Sequence, residues 1–124
     1  MSDTHKVLFI EDDDFLRSLV VTKLQKNGFE VATKGDGADA LALINQEKPD
    51  ILLLDLMLPG VGGFEILEAI RNDATWRDLK VIIFSNLGEE EDIQKGEALG
   101  ASEYMIKSNF TLDELVEKIQ SMLA

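Results

Sequence analysis

Cysteine is absent from this 124-residue chain, and basic residues are scarce. Without cysteine, the protein can form no disulfide, no thiolate metal site and no thiol nucleophile. Twelve lysine and arginine residues stand against 24 acids, and the net charge of -12 argues against direct binding of nucleic acid, which needs a basic surface. A partner with a basic surface fits this composition better.

Long apolar runs are also missing. No run approaches the roughly 20 residues that cross a bilayer, and residues 1–6 lack the charged, apolar and small-residue sections of a signal peptide. A length of 124 residues suits one domain with one core. We therefore expect a single domain over residues 1–124, in the cytoplasm and without a membrane partner.

Short apolar runs alternate with helical patterns five times along the chain. The predicted strands cover residues 7–10, 29–33, 51–54, 81–84 and 103–106. Runs without a polar face need helices on both sides of the sheet, which predicts a doubly wound α/β fold with a parallel sheet. The helical patterns run through Leu16, Leu19, Val20 and Leu24, and begin again at Asp36, Gly63, Glu90 and Thr111.

The last two helices differ in their sequence signals. Thr111 and Glu114 have the spacing of a capping box, which is a strong helix start. The helix that begins at Glu90 has few large apolar residues, and Gly96 inside it costs about 1 kcal/mol relative to alanine. We expect this helix to pack loosely.

The functional crevice of a doubly wound sheet lies beyond the carboxyl ends of its strands. The first predicted strand is followed by Glu11 and Asp12, the third by Asp55, the fourth by Ser85 and the fifth by Lys107. Each residue alone has an ordinary explanation, such as a loop hydroxyl, a surface lysine or, for Asp13 or Asp14, a helix cap. Their convergence on one edge is the specific signal.

Three carboxylates and one lysine leave this edge with an excess of negative charge. Such a site requires a divalent cation or raised pKa values. Oxygen ligands without histidine or cysteine indicate Mg²⁺, whose usual companion is a phosphoryl group. Lys107 and Ser85 are suited to bind phosphoryl oxygens, and Asp55 is the predicted nucleophile that becomes an acyl phosphate.

The same residues carry a family resemblance. Glu11-Asp12 after the first strand, Asp55 to Gly60 after the third, Ser85 after the fourth, and Tyr104 three residues before Lys107 match one pattern. In these positions the chain resembles a response-regulator receiver domain of two-component signalling over its whole length. The resemblance implies a flavodoxin-like fold of five βα units with strand order 2-1-3-4-5.

The resemblance also implies a function. Asp55 would accept a phosphoryl group from a histidine kinase or a histidine phosphotransfer protein, and the lone His5 would have no part in the transfer. The chain would be a signalling switch rather than an enzyme, catalysing only its own phosphorylation and dephosphorylation. Mg²⁺, or Mn²⁺ in its place, would be held by a set of four groups: Glu11, Asp12, Asp55 and the backbone carbonyl of Met57.

By the same resemblance, Lys107 would bind a phosphoryl oxygen, and Ser85 and Tyr104 would form a switch pair. The face formed by the fourth helix, fifth strand and fifth helix would then change, altering the binding of a downstream protein or effector domain, or a dimer contact. Two positions depart from the family pattern. Ser108 replaces the usual proline, so we predict a trans Lys107–Ser108 bond, and Asn86 replaces a small residue beside the phosphoryl site.

Three other functions are open. A Mg²⁺-dependent phosphatase with an aspartate nucleophile would place a second acid at the position of Met57. A flavodoxin would need a phosphate-binding loop where Glu11 and its acidic neighbours stand. A receiver that is never phosphorylated would serve only as an interaction module, although every pocket residue is present. A phosphoryl adduct, turnover of a phosphate ester or bound flavin would distinguish these functions.

Overall fold

The computed structural model of the protein describes residues 4–124. Five strands alternate with five helices, and a short 3-10 turn precedes the last helix. The strands are β1 (Lys6–Ile10), β2 (Glu30–Lys34), β3 (Ile51–Leu54), β4 (Lys80–Ser85) and β5 (Glu103–Ile106). The helices are α1 (Asp14–Lys26), α2 (Ala40–Glu47), α3 (Gly63–Arg71), α4 (Glu90–Ala98) and α5 (Leu112–Leu123).

The strands form one parallel sheet in the order β2-β1-β3-β4-β5. In the central register Leu8 pairs with Leu52, and Leu53 pairs with Ile82. The predicted doubly wound fold and its strand order are confirmed. Because the strand order reverses between β1 and β3, a crevice is expected at their carboxyl ends.

Side chains from alternate positions of each strand enter two separate cores. On one side, Val7 and Phe9 pack with the buried faces of α1 and α5. On the other side, Leu8 and Ile10 pack with α2 and α3. Successive side chains of a strand point to opposite faces of the sheet, and helices cover both faces. All four positions of β3 are therefore buried.

The second helix begins later than the sequence pattern predicted. The prediction placed its start at Asp36, whereas α2 starts at Ala40. Asp39 has a left-handed backbone (φ 53°), and the Asp36 carboxylate accepts a hydrogen bond from the backbone N–H of Ala38 in a turn. A Cβ on Gly37 would lie 1.9 Å from the Val61 carbonyl oxygen, so close packing with the next loop holds this turn in place of a helix.

The first helix confirms its predicted cap but not all of its predicted core residues. The Asp13 carboxylate accepts a hydrogen bond from the Leu16 N–H as the N-cap. Leu19, assigned to the apolar stripe, is 41% exposed, and Phe15 is 74% exposed. The contact stripe of α1 is therefore narrower than the sequence suggests. Among residues 4–124, no helix combines the length and apolar character needed to cross a membrane.

Candidate functional site

A shallow depression of about 290 Å³ lies at the carboxyl ends of β1, β3, β4 and β5. Its lining comes from four successive strand ends and the loops that follow them: Glu11, Asp12, Asp13, Asp55, Met57, Ser85, Asn86 and Lys107. Seven of the eight side chains are polar or charged. The structure thus brings together Glu11, Asp12, Asp55, Ser85 and Lys107, the residues that the sequence placed at one edge.

Asp55 is held by the backbone around it. Its N–H donates to the Ile10 carbonyl oxygen at 3.1 Å, and its Oδ1 accepts hydrogen bonds from the N–H groups of Leu56 (2.7 Å) and Met57 (3.3 Å). The residue is only 4% exposed. A Cβ on Gly63 would lie 2.4 Å from the Asp55 carbonyl oxygen, so the start of α3 can pack against Asp55 only because glycine stands there.

Lys107 joins two of the acids. Its Nζ lies 3.1 Å from Asp55 Oδ2 and 2.7 Å from Glu11 Oε1. Burial alone would lower the pKa of Lys107, but its contacts with Glu11 and Asp55 outweigh burial and raise that pKa. Lys107 therefore stays protonated between the acids. The Lys107–Ser108 bond is trans, as predicted.

Glu11 is the most enclosed acid of the site, with no exposed surface. Its Oε2 accepts a hydrogen bond from the Asp13 N–H at 3.1 Å. Its buried Oε1 contacts Lys107 as an ion pair but makes no aligned hydrogen bond with any residue that the structure describes. Burial raises the pKa of Glu11 more than the Lys107 ammonium lowers it. An oxygen with unused acceptor capacity in this position suits a cation.

The acids fit a metal ion. One carboxylate oxygen from each of Glu11, Asp12 and Asp55 lies within 4.8 Å of the other two. Asp12 is exposed whereas the other two are buried, so a cation would keep an open side toward solvent. An all-oxygen donor set with room for water is the kind that Mg²⁺ prefers. Met57, predicted to add its carbonyl, lines the depression with a side chain that is 62% exposed.

The predicted switch residues are linked through Leu87. The Leu87 N–H donates to the buried Ser85 Oγ at 3.3 Å, and the Tyr104 hydroxyl donates to the Leu87 carbonyl oxygen. Tyr104 is half-buried, and burial, together with the nearby charges of Asp92 and Asp55, raises its pKa to about 12. The sequence prediction named the two ends of this connection but not its centre, because backbone groups leave no mark in a residue pattern.

A family model described as the response regulator receiver domain matches residues 7–120 of the chain. The chain belongs to this family. Two curated relatives of the receiver domain are the "Probable transcriptional regulator ycf27" of Guillardia theta, 36% identical, and the "Phosphate regulon transcriptional regulatory protein PhoB" of Escherichia coli, 34% identical. Each alignment covers 95% of this chain but only 45% and 51% of the relative, respectively. The chain thus spans about half the length of these relatives.

Solved structures resemble the receiver domain along nearly its whole length. The chemotaxis protein CheY4 of Vibrio cholerae has a TM-score of 0.86 at 30% identity, covering 95% of this chain and 98% of that one. The BeF3-activated receiver domain of Klebsiella pneumoniae RstA has a TM-score of 0.88 at 29% identity, with coverage of 95% and 97%.

The lone histidine lies away from the site. His5 precedes β1, so the length of that strand separates it from the carboxyl edge, and its Nδ1 lies 3.7 Å from Asp50 Oδ2. The His5 side chain is 42% exposed. Its position excludes direct contact between His5 and Asp55 within one copy of the fold.

Proposed function

We propose that residues 1–124 form one receiver domain that works as a phosphorylation-dependent switch, with Asp55 as the phosphoryl acceptor. The observation that carries the proposal is the position of Asp55: a buried carboxylate between two further acids and a lysine, at the switch point of the sheet. His5 is the single histidine of the chain and lies at the other end of β1, so the phosphoryl donor must be on another protein. We expect this donor to be a phosphohistidine of a histidine kinase or phosphotransfer protein in the cytoplasm.

In the proposed reaction a carboxylate oxygen of Asp55 attacks the phosphorus of the phosphohistidine. The P–N bond breaks, its electron pair stays on the imidazole nitrogen, and that nitrogen takes up a proton from solvent. Lys107 Nζ moves from the Asp55 carboxylate to a phosphoryl oxygen as the acyl phosphate forms. Mg²⁺ bound by Glu11, Asp12, Asp55 and the Met57 carbonyl, or Mn²⁺ in its place, would neutralise charge on the transferred group.

The same geometry supports a conformational response. The Ser85 Oγ accepts a hydrogen bond from the Leu87 N–H, so movement of the hydroxyl toward a phosphoryl oxygen, to which it would donate, would pull on the Leu87 backbone. Because the Leu87 carbonyl accepts the Tyr104 hydroxyl, a shift of this backbone reaches the ring on β5. We propose that the α4-β5-α5 face changes in this way and alters the binding of a partner protein, an effector domain or a second copy.

Hydrogen exchange tests this response. Addition of a beryllofluoride mimic of the phosphoryl group should increase amide protection along α4, with a smaller effect on α5. Tyr104→Phe, which lacks the hydroxyl that bonds Leu87, should reduce the increase. Unchanged protection of α4 in the wild type would contradict the proposed switch.

The acceptor role is tested by intact mass after incubation with Mg²⁺ and acetyl phosphate or phosphoramidate. We expect one phosphoryl adduct, lost in Asp55→Asn and on removal of Mg²⁺ with a chelator. Asp50→Asn is a matched control, because Asp50 directly precedes β3 whereas Asp55 directly follows it. The control should still be phosphorylated. Equal adduct formation in both variants would contradict the assignment of Asp55.

The same experiment separates the competing functions. Multiple turnover of a phosphate ester would support the phosphatase, and no adduct under any condition would support an interaction module that is not phosphorylated. The phosphatase is disfavoured because Met57, two residues after Asp55, offers no carboxylate to act as the general acid.

A further inference from the structure

Arg17, on the first turns of α1, folds its side chain back over the loop that carries the acids. Its Nη1 donates to the Glu11 carbonyl oxygen at 2.6 Å, and its Nη2 donates to the Asp14 carboxylate. We propose that Arg17 is a positioning residue for the metal-binding acids, acting through the backbone of Glu11. The inference rests on the proposed function, because it assumes that these acids bind Mg²⁺.

The carbonyl of Glu11 is the point where the sheet no longer holds the chain. The Ile10 carbonyl still accepts the Asp55 N–H, and the Glu11 N–H still donates to the Lys34 carbonyl at 2.9 Å. The Glu11 carbonyl lies just past these last backbone hydrogen bonds of the sheet. The Arg17 guanidinium donates to it where a neighbouring strand would otherwise donate. A hydrogen bond from a charged donor is roughly twice as strong as a neutral one.

This bond sets the direction of the next acid. The Glu11 carbonyl belongs to the peptide group that joins Glu11 to Asp12, so fixing it fixes the direction in which Asp12 leaves the sheet. Asp12 is exposed, so surrounding side chains restrain it less than they restrain the buried Glu11. We therefore expect Asp12 to depend on the loop backbone for its place within 4.8 Å of the other two acids.

A second element confines the guanidinium. A Cβ on Gly35, in the loop after β2, would lie 3.3 Å from Arg17 Nη1 and 4.0 Å from the Glu11 carbonyl oxygen. The Arg17 side chain is 23% exposed, so it occupies a slot rather than open solvent. A methyl group at Gly35 would press on the guanidinium, which would have to shift by a few tenths of an ångström while its charge is kept.

The test is Mg²⁺ affinity of the unphosphorylated protein, measured by calorimetry. Removal of the outer partner of a metal ligand lowers metal affinity about 10- to 100-fold. We expect Arg17→Met to raise the Kd for Mg²⁺ about tenfold, near the lower end of that range. Gly35→Ala should produce a smaller rise in the same direction. In amide spectra of both variants, the Asp12 resonance should shift before any metal is added.

Arg71→Met is the matched control. Arg71 on α3 also donates to backbone carbonyls, those of Gly100, Arg77 and Leu79, and none of these residues lines the acidic depression. This variant should lose stability to urea yet keep the wild-type Mg²⁺ affinity. Reduced affinity in Arg71→Met equal to that in Arg17→Met would overturn the proposal, because general loosening would then explain both.

Three further outcomes are distinguishable. If the wild type binds Mg²⁺ and Arg17→Met binds it equally well, the positioning role is wrong and the proposed function stands. If the wild type binds neither Mg²⁺ nor Mn²⁺, both are overturned. Loss of affinity in Arg17→Met with an unshifted Asp12 amide resonance in the metal-free protein would also overturn the proposal, because the loss would then not come from a change in the backbone that directs Asp12.

Discussion

Helices α4 and α5 flank the same strand, β5, but are attached to the sheet in different ways. α5 begins with a complete capping box between Thr111 and Glu114 and buries three apolar side chains, those of Leu115, Val116 and Ile119. α4 has no side-chain cap bond, and its one buried residue is Gly96. The comparison separates a capped helix that buries apolar side chains from an uncapped helix that buries none.

The closest approach of α4 to the sheet involves Ile83 and Tyr104, the second of which belongs to the proposed switch. A Cβ on Gly96 would lie 2.8 Å from Ile83 Cδ1 and 3.0 Å from Tyr104 Cδ2. The helix therefore rests on the Tyr104 ring at a position where it has no side chain of its own. Local stability depends on the buried apolar contacts that an element makes, so α4 should open more readily than α5.

The largest difference in the free energy of unfolding is expected when an apolar side chain of each helix is truncated. Ile119 is fully buried, and Ile119→Ala should lower the free energy of unfolding by about 2–5 kcal/mol. Ile93 on α4 is half-buried, and Ile93→Ala should cost about 1 kcal/mol. Urea unfolding with unchanged m-values measures both. Equal losses would remove the distinction between the helices.

The helix starts should differ next. Thr111→Ala removes the cap acceptor of the Glu114 N–H and should cost about 1 kcal/mol, whereas Thr111→Ser should retain most of it. The side chain of Glu89, at the same position before α4, makes no cap bond. Glu89→Ala should therefore change stability little. A loss at Glu89 as large as that at Thr111 would argue against the comparison.

The pH dependence of stability gives a third difference, confined to the α4 side. The folded pKa of Tyr104 is raised to about 12, above its usual value of about 10. The folded state thus favours the neutral phenol, and the resulting stability is present below pH 10 and lost as the pH rises to 12. Tyr104→Phe should lack this part of the decline. The free energy of unfolding of both proteins is measured from pH 9 to 12. An equal decline with pH in the wild type and in Tyr104→Phe would contradict the prediction.

Gly96→Ala should give the smallest net change in stability, because two effects oppose each other. Alanine favours the helix by about 1 kcal/mol, whereas its methyl group would crowd Ile83 and Tyr104. We expect the ring of Tyr104 to move and the pKa of this single tyrosine to fall toward its usual value, as read by ultraviolet absorbance. Glu97→Ala, at an exposed position of the same helix, is the control. A stabilised variant with unchanged titration would show that Gly96 has no role in placing the ring.

The fold was predictable because buried parallel strands leave an unmistakable apolar signature. The runs around Leu8, Leu53 and Ile82 led to the correct strands within one residue at their ends. Five site residues followed from one rule, that the carboxyl ends of such strands meet at one edge: Glu11, Asp12, Asp55, Ser85 and Lys107. Met57 and Tyr104 came only from the family resemblance. Neither step required knowledge of side-chain contacts.

The remainder depended on contacts between distant segments. The late start of α2 results from the packing of Gly37 against Val61, and the exposure of Leu19 from the narrow contact between α1 and the sheet. Gly96 was read as a cost to its helix, but the structure shows it as the point of closest approach to Tyr104. A glycine in a sequence indicates that a side chain is absent, but it does not show which neighbouring residue occupies that space.

The ion pair between Lys107 and Glu11 joins residues from nearly opposite ends of the chain. It forms only when β5 has docked at one edge of the sheet and β1 is in place three strands away, next to the opposite edge. A folding chain that lacks its last strand would hold three acids without the Lys107 ammonium between them, and long-range contacts of this kind form slowly. If Asp55 is the phosphoryl acceptor proposed above, its reactivity toward a phosphoryl donor should therefore appear late in folding, once Lys107 has reached the site.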